Sequence, residues 1–302
     1  MCGAGNEDCS EVENLVMLYS KSGCEMFDIS ANIDVLKSAK RGILRSGITK
    51  NRYICVSVGI PGDPHMEKAN INMQTCQKCG ACASVCLQCA IDNNLHVHKK
   101  RCIGCAKCRK ICPTKSIYMT SEVKNLEEVL PPLIEEGFDC LEFHAISENE
   151  EEVFSTWELI NKLYDGMLSI CVDRSKLGNE KLIQRVKKML ACRNPFTTII
   201  QADGAPMSGG ADDFKTTLQA VATAELFQDE SLPVYLLVSG GTNSKTTQLA
   251  RQCGVHPDGV SVGSYARKIV KKYLQTPNFG EDESIFNSAL AVAKKLVEDL
   301  KQ

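Results

Sequence analysis

The chain has 302 residues, a formal net charge of −2 and 43% hydrophobic residues, which is typical of an ordinary globular protein large enough to bury a core. This near-neutral charge excludes a strong overall attraction to nucleic acid or membranes, and no apolar run approaches the ~18 residues of a transmembrane helix. The first residues lack the basic and apolar regions of a signal peptide, so we expect a cytoplasmic protein. In such a protein, 17 cysteines indicate metal binding rather than disulfide bonds.

Along the chain, short apolar runs alternate with segments of helical periodicity. The predicted strands are residues 24–29, 53–58, 140–144, 167–172, 197–201, 234–238 and 259–262, with a very short first strand at 1–5. The predicted helices include residues 12–19, 34–44, 126–136, 151–163, 180–190, 213–227 and 244–253. This alternation predicts a parallel sheet, and eight strand–helix units predict a TIM-like (β/α)8 barrel at residues 1–62 and 121–275. An open doubly wound sheet is the alternative, although its G-x-G-x-x-G turn is missing.

Residues 63–120 interrupt the alternation with two copies of C-x2-C-x2-C-x3-C, offset by 26 residues. Bacterial ferredoxins with two [4Fe–4S] clusters have this spacing, in which three close cysteines bind one cubane and the fourth serves the other. We therefore predict an inserted α+β ferredoxin domain. Its first cluster would be bound by Cys76, Cys79, Cys82 and Cys112, and its second by Cys102, Cys105, Cys108 and Cys86. A pair of zinc sites is the alternative, but zinc needs only four ligands in two pairs.

Two further features of the insertion concern its charge and its extra thiol. Between Cys76 and Met119 there are eight basic residues and one acidic residue, a net charge of +7. This charge predicts docking of an acidic electron-carrier protein, although compensation of the anionic clusters alone would also explain it. Cys89 adds a fifth thiol beside the first motif, which we interpret as a small buried residue rather than an additional ligand.

The loops after the strands of a TIM barrel form its catalytic face, and the insertion would lie in one of them, over the barrel mouth. Loops after the last two predicted strands contain Gly240, Gly241, Gly263 and Ser264. Glycine-rich loops at this position bind phosphate in such barrels, so we expect a phosphorylated ligand or a flavin such as FMN there. Plain turns that need positive φ are the alternative.

Three residues of the predicted mouth are candidates for catalysis, namely Asp203, Ser208 and His144. Asp203 and Ser208 belong to one polar, glycine-rich loop, and His144 ends another predicted strand. Cys55, Cys140 and Cys171 lie within strands, and we interpret them as small core residues. Residues 276–302 contain a predicted amphipathic helix, which we expect to pack on the barrel exterior or on a partner subunit.

Residues 24–32, 63–69 and 201–210 resemble the light-dependent-period iron–sulfur proteins (LdpA family) of cyanobacteria and plants. The resemblance implies two iron–sulfur centres and a redox-sensing role linked to a circadian clock. Three functions are therefore open. The chain is an oxidoreductase passing electrons from its clusters to a ligand at the mouth, a redox sensor whose cluster state controls partner binding, or a passive electron relay. The polar loop at Asp203 favours the oxidoreductase.

Overall fold

A computed structural model of the chain describes residues 3–121, 123–204, 211–276 and 278–301. The strands are β1 (Met26–Ser30), β2 (Tyr53–Gly59), β3 (Glu67–Ile71), β4 (Ile117–Ser121), β5 (Cys140–His144), β6 (Met167–Val172), β7 (Thr198–Asp203), β8 (Tyr235–Ser239) and β9 (Gly259–Val260). The helices are α1 (Cys9–Lys21), α2 (Ile33–Ser46), α3 (Ala81–Val85), α4 (Lys107–Ile111), α5 (Leu126–Glu136), α6 (Glu150–Leu163), α7 (Asn179–Leu190), α8 (Phe214–Gln228), α9 (Thr246–Gln252), α10 (Ser264–Leu274) and α11 (Glu283–Lys301). None of these helices is both long and apolar enough to cross a membrane.

The longer helices begin and end at residues that suit those positions. The Asn32 side chain accepts a hydrogen bond from the Asp34 amide at 2.9 Å and so caps the start of α2, and Gly47, with φ 71°, caps its end. Asn149 caps α6 in the same way, and three glutamates in its first turn favour the positive end of the helix dipole. The predicted helices 34–44 and 151–163 are therefore confirmed as α2 and α6, and their capping residues are local signals that the sequence contains.

Seven parallel strands form one sheet in the order β1-β2-β5-β6-β7-β8-β9. Side chains alternate along each strand, and one face is packed with apolar residues against the helices, such as Val56, Leu141 and Ile170. The opposite, concave face has an apolar layer at the start of the strands that includes Cys55, Cys140 and Ile199. Towards the carboxyl ends of the strands, this concave face becomes polar, and the functional site begins there.

The sheet is an open half-barrel with its edges 10 Å apart, so the prediction of a closed eight-stranded TIM barrel is wrong. The expected first strand is reduced, within the described residues, to a single bridge between Gly3 and Ile29. The chain then turns, because Gly3 has φ 85° and its carbonyl accepts from the Asn6 amide at 3.1 Å. β9 at the other edge has only two residues. The Arg267 side chain packs against Gly3 at this gap, where a continuous strand would have to run.

The insertion follows β2 and is framed by β3 and β4, which pair antiparallel. Its two halves repeat at the same 26-residue offset as the cysteines. The Ala90 amide donates to the Cys86 sulfur at 3.3 Å, and the Ser116 amide donates to the Cys112 sulfur at 3.3 Å. The internal repeat therefore extends from the cysteine spacing to the hydrogen bonds around the sulfurs.

The close packing of α1 on α2 gives a test of the fold. A Cβ atom added at Gly42 would lie 2.5 Å from the Glu13 carbonyl oxygen and 2.9 Å from the Val16 Cβ. We therefore expect Gly42→Ala to destabilise the protein by about 1–3 kcal/mol through overpacking, despite the better helix propensity of alanine. The measurement is the midpoint of chemical denaturation under anaerobic conditions. Gly178→Ser is the control, because a Cβ there meets open space, and an unchanged midpoint for Gly42→Ala would contradict the expectation.

Candidate functional site: two cysteine centres above a polar cavity

The first predicted cluster site is a compact ring of four cysteines. Cys76, Cys79, Cys82 and Cys112 all line one small cavity of about 10 Å³. Cys82 is buried, whereas Cys79 is exposed at the surface of the insertion. Four thiols converging on one enclosed point fit a cubane cluster, which is bound by four thiolates.

The second group of four cysteines lies on the side of the insertion that faces the sheet. Burial and the nearby Cys105, Cys102 and Cys86 sulfurs raise the pKa of Cys108 to about 12. The neighbouring sulfurs thus disfavour a further thiolate charge, and a bound cation or cluster would relieve this repulsion. The Ala69 amide also donates to the Cys102 sulfur at 3.3 Å, the kind of bond that tunes cluster potentials.

The loop of the second group is anchored on the half-barrel. The buried Lys68 ammonium donates to the Gly5 carbonyl at 2.8 Å and to the Cys102 carbonyl at 2.7 Å. Cys89 lies outside both groups of four, and its sulfur accepts a hydrogen bond from the Gln275 side chain at 3.2 Å. Cys89 is half-buried and faces the end of α10.

A cavity of about 90 Å³ lies between this loop and the carboxyl ends of the strands. Ile103, between two cysteines of the second group, lines the cavity on the insertion side. The half-barrel contributes His144, Asp203, Gly240, Gly241, Gly263 and Ser264, six of the predicted site residues. The seventh, Ser208, lies outside the described residues.

One wall of the cavity carries a continuous chain of hydrogen-bonded polar side chains. Asp63 begins it, with Oδ1 accepting from the His65 amide at 2.9 Å and Oδ2 2.9 Å from Nδ1 of His144. Nε2 of His144 lies 3.2 Å from Oε2 of Glu142. The Ser57 hydroxyl in turn lies between the carboxyl groups of Glu142 and Asp28. A hydroxyl has one proton to donate, so one of these carboxyl groups must itself donate.

The pKa values of this wall follow from burial and pairing. Burial alone would raise the pKa of Asp63, but the charge and hydrogen bond of His144 outweigh it and hold that pKa well below its usual range. Burial would lower the pKa of His144, but Asp63 and Glu142 raise it well above its usual value. Burial and the charge of Glu142 raise the pKa of Asp28 to about 6. Of the two carboxyl groups beside the Ser57 hydroxyl, Asp28 is therefore the one that holds a proton more readily, because the pKa of Glu142, despite its burial, is lowered by His144.

Asp203 and Cys171 stand beside this chain on the same concave face. The Cys171 sulfur lies 3.8 Å from Oδ2 of Asp203, and both residues are buried. Oδ1 of Asp203 has no hydrogen-bond partner among the described residues. Burial raises the pKa of Asp203 to about 7. A buried oxygen without a partner is costly, so this group indicates a place where a ligand or proton is held.

The opposite wall has the features of an anion site. Gly240 and Gly241 have φ values of 63° and 79°, and a Cβ at Gly240 would lie 1.2 Å from the Asp203 carboxylate, so only glycine fits. α10 begins at Ser264, which lines the cavity. The positive end of the helix dipole therefore lies at the cavity. Arg267, from the first turn of α10, also lines the cavity.

Sequence reasoning missed Glu142, Asp63 and Arg267, and it treated Cys171 as a core residue. The signal for Glu142 was present, because it lies two residues before His144 in β5 and so shares its face. Cys55 and Cys140 do lie in the apolar layer, as expected of small core residues. Cys171 instead lines the cavity.

Comparison with known proteins adds to this geometry. A family model described as "Light dependent period A C-terminal domain" matches residues 133–299, more than half of the chain. One described as "4Fe-4S binding domain" matches residues 95–118, which contain the second cysteine motif. The chain is also 26% identical over 321 aligned residues to "Light dependent period A" of Synechococcus elongatus, covering all of this chain and 90% of that relative. The resemblance seen in the sequence is thus confirmed.

The cysteine geometry predicts which thiols hold iron. Protein purified under anaerobic conditions should contain about eight irons per chain if both groups bind [4Fe–4S] clusters. Cys86→Ser should remove about half of this iron, because one ligand of the second group is lost. Cys89→Ser is the matched control, and it should keep all the iron because its sulfur faces Gln275. Loss of iron in Cys89→Ser, or about two zinc ions in place of iron, would contradict the assignment.

Proposed function

The chain belongs to the light dependent period A family and is an iron–sulfur protein, and from this premise we propose that it is an oxidoreductase. Electrons pass from a carrier protein to the first cluster, then to the second, and finally to a small phosphorylated ligand in the cavity. The single observation that carries the proposal is the position of Ile103. This residue of the second cysteine loop lines the same cavity as the glycine-rich strand ends, so a ligand there lies directly beneath a cluster.

The surroundings of the two cysteine groups support this order. The second group is anchored on the half-barrel through Lys68 and the Cys102 carbonyl, so it is the one next to the cavity. The first group includes the exposed Cys79 at the surface of the insertion. Electrons taken up from outside would therefore reach the first cluster before the second.

The surface of the insertion suits an acidic electron carrier. Lys78 lies between Cys76 and Cys79, and Arg109 and Lys110 lie on α4 just before Cys112, with all three basic side chains exposed. Ile111 beside them is 51% exposed. An apolar side chain amid like charges is the pattern of a docking site in which electrostatics guides encounter and apolar contact completes it.

The ligand itself is best described as a compact phosphorylated molecule. One side of the cavity is lined by Gly240 and Gly241, by the start of α10 and by the Arg267 guanidinium. Backbone amides, a helix N-terminus and a guanidinium together suit a dianionic group. A volume of about 90 Å³ accommodates a phosphate group but not the ring system of FMN. We therefore favour the phosphorylated ligand over FMN, whose release on denaturation remains the direct test for flavin.

A second candidate function is redox sensing, in which cluster state controls the binding of a partner. The observation that favours it is a groove of about 430 Å³ between the insertion and the half-barrel. Cys89 and Cys105 line one side of this groove, and Arg267 and Lys271 of α10 line the other. A change of cluster charge would act directly on any acidic partner held there.

Phosphate binding gives the first test. Ser264→Asp places a carboxylate at the start of α10, where it competes with a bound anion while still suiting the helix dipole. We expect the variant to bind inorganic phosphate at least ~10-fold more weakly than the parent protein, a difference of about 1.4 kcal/mol. The measurement is calorimetric titration of the anaerobic holoprotein, with Ser264→Ala as the control. Equal binding by parent and Ser264→Asp would count against the phosphate site.

Docking gives the second test. The double variant Arg109→Glu/Lys110→Glu should be reduced more slowly by an acidic ferredoxin, roughly 10-fold at low salt, and the difference should shrink as salt is added. Lys37→Glu/Lys294→Glu is the control, because it makes the same charge change on exposed positions of α2 and α11. Carrier affinity is measured with both the oxidised and the reduced protein. State-dependent affinity without electron transfer would favour the sensor over the oxidoreductase.

A further inference from the structure

We propose that Glu142, His144 and Cys171 form a site for one divalent metal ion of the zinc class, beneath the second cysteine loop and separate from the iron–sulfur ligands. The three side chains come from the neighbouring strands β5 and β6, and all three are buried. Their ligand atoms lie within 4.8 Å of one another. A carboxylate, an imidazole and a thiolate are all ligands that zinc accepts.

The distances suit a tetrahedral ion. Nε2 of His144 and Oε2 of Glu142 are 3.2 Å apart. Two ligand atoms bound at about 2.0–2.1 Å to one tetrahedral ion stand roughly 3.3 Å from each other. The pair is thus spaced for joint coordination without movement of β5, which carries both residues.

Asp63 provides the outer support that such a site requires. Its Oδ2 lies 2.9 Å from Nδ1 of His144, and an ionised carboxylate only accepts hydrogen bonds, so Nδ1 carries the proton. In neutral His144 the lone pair is then on Nε2, aimed at Glu142. A carboxylate behind the imidazole is the usual second partner of a zinc-bound histidine, and it fixes both the tautomer and the ring orientation.

Two arrangements satisfy the contact between Nε2 and Glu142, because either a proton or a metal ion must lie between them. A proton alone leaves one buried atom unexplained. The Cys171 thiol donates a hydrogen bond to Oδ2 of Asp203 at 3.8 Å, but Oδ1 of Asp203 has no partner among the described residues although it is buried at the cavity. A metal ion would take the Cys171 sulfur as a thiolate ligand and offer a bound water to Oδ1 of Asp203, which then has a partner.

The cavity next to these residues gives the ion an open position. Three protein ligands with a fourth position for water or substrate distinguish catalytic zinc sites from closed structural ones. A volume of about 90 Å³ is enough for one or two waters or a small ligand group. The site does not depend on the proposed electron route, because none of its ligands belongs to the cysteine motifs.

The test uses the holoprotein with its clusters intact. Anaerobic protein is treated with a chelator, titrated with Zn²⁺ and studied by X-ray absorption at the zinc edge, which separates one sulfur neighbour from four. Cys171→Ser and Glu142→Gln are each expected to weaken Zn²⁺ binding by at least about 100-fold, more than the loss of an outer partner. Cys55→Ser is the matched control, because Cys55 is equally buried on the same face but lies in the apolar layer.

Binding of one Zn²⁺ per chain, with one sulfur and otherwise nitrogen or oxygen neighbours, would support the site if Cys171→Ser removed the sulfur signal and Cys55→Ser did not. Three outcomes would overturn it. These are no binding at micromolar free Zn²⁺, a shell of four sulfurs that identifies zinc in a cluster position, or undiminished binding in both Cys171→Ser and Glu142→Gln. Iron content measured alongside shows whether each variant has kept its clusters and therefore its fold.

Discussion

The pairing of Asp63 with His144 is the constraint on which the arrangement of the site depends. Asp63 stands where the chain leaves β2 for the insertion, and His144 ends β5, the neighbouring strand in the sheet. Asp63 is fully buried, and a buried charge is stable only when it is paired and hydrogen-bonded. The pair therefore fixes the base of the insertion against the strand ends. Lys68, which follows shortly after Asp63 in the chain, donates to the Cys102 carbonyl and so holds the loop of the second cysteine group over the cavity.

The open edge of the sheet has a related consequence. A closed barrel fills its interior with side chains from every strand, whereas the described residues of this half-barrel include no strand that completes the ring. Arg267 and the turn at Gly3 take that place and bring a positive charge to the cavity. The missing strand is thus the reason that a basic group faces the acidic wall formed by β5, β6 and β7.

Local features of the fold could be predicted from the sequence because they depend on neighbouring residues. The predicted strands 140–144 and 167–172 are confirmed as β5 and β6, since apolar alternation is a local pattern. Closure of the sheet was predicted wrongly because it depends on whether Gly3 and β9, more than 250 residues apart, can pair. The contact of Asp63 with His144 spans 81 residues, and no local pattern indicates it. Cys171 and Cys55 cannot be told apart in the sequence, because each is a cysteine within an apolar strand. Only their neighbours across the folded sheet place Cys171 at the cavity and Cys55 in the apolar layer.

The two walls of the cavity have opposite charge, and this polarity restricts the chemistry that can occur there. A phosphate held by Arg267 and the start of α10 would lie across the cavity from the carboxylate of Glu142, which repels it. A divalent ion on the acidic wall would remove that repulsion and let one ligand span the cavity. The uncharged Ile103 forms the roof between them. In the proposed function, a change of charge at the second cysteine group would therefore act on both walls with little water to screen it. The proposed electron transfer and the proposed ligand binding are thus expected to be coupled.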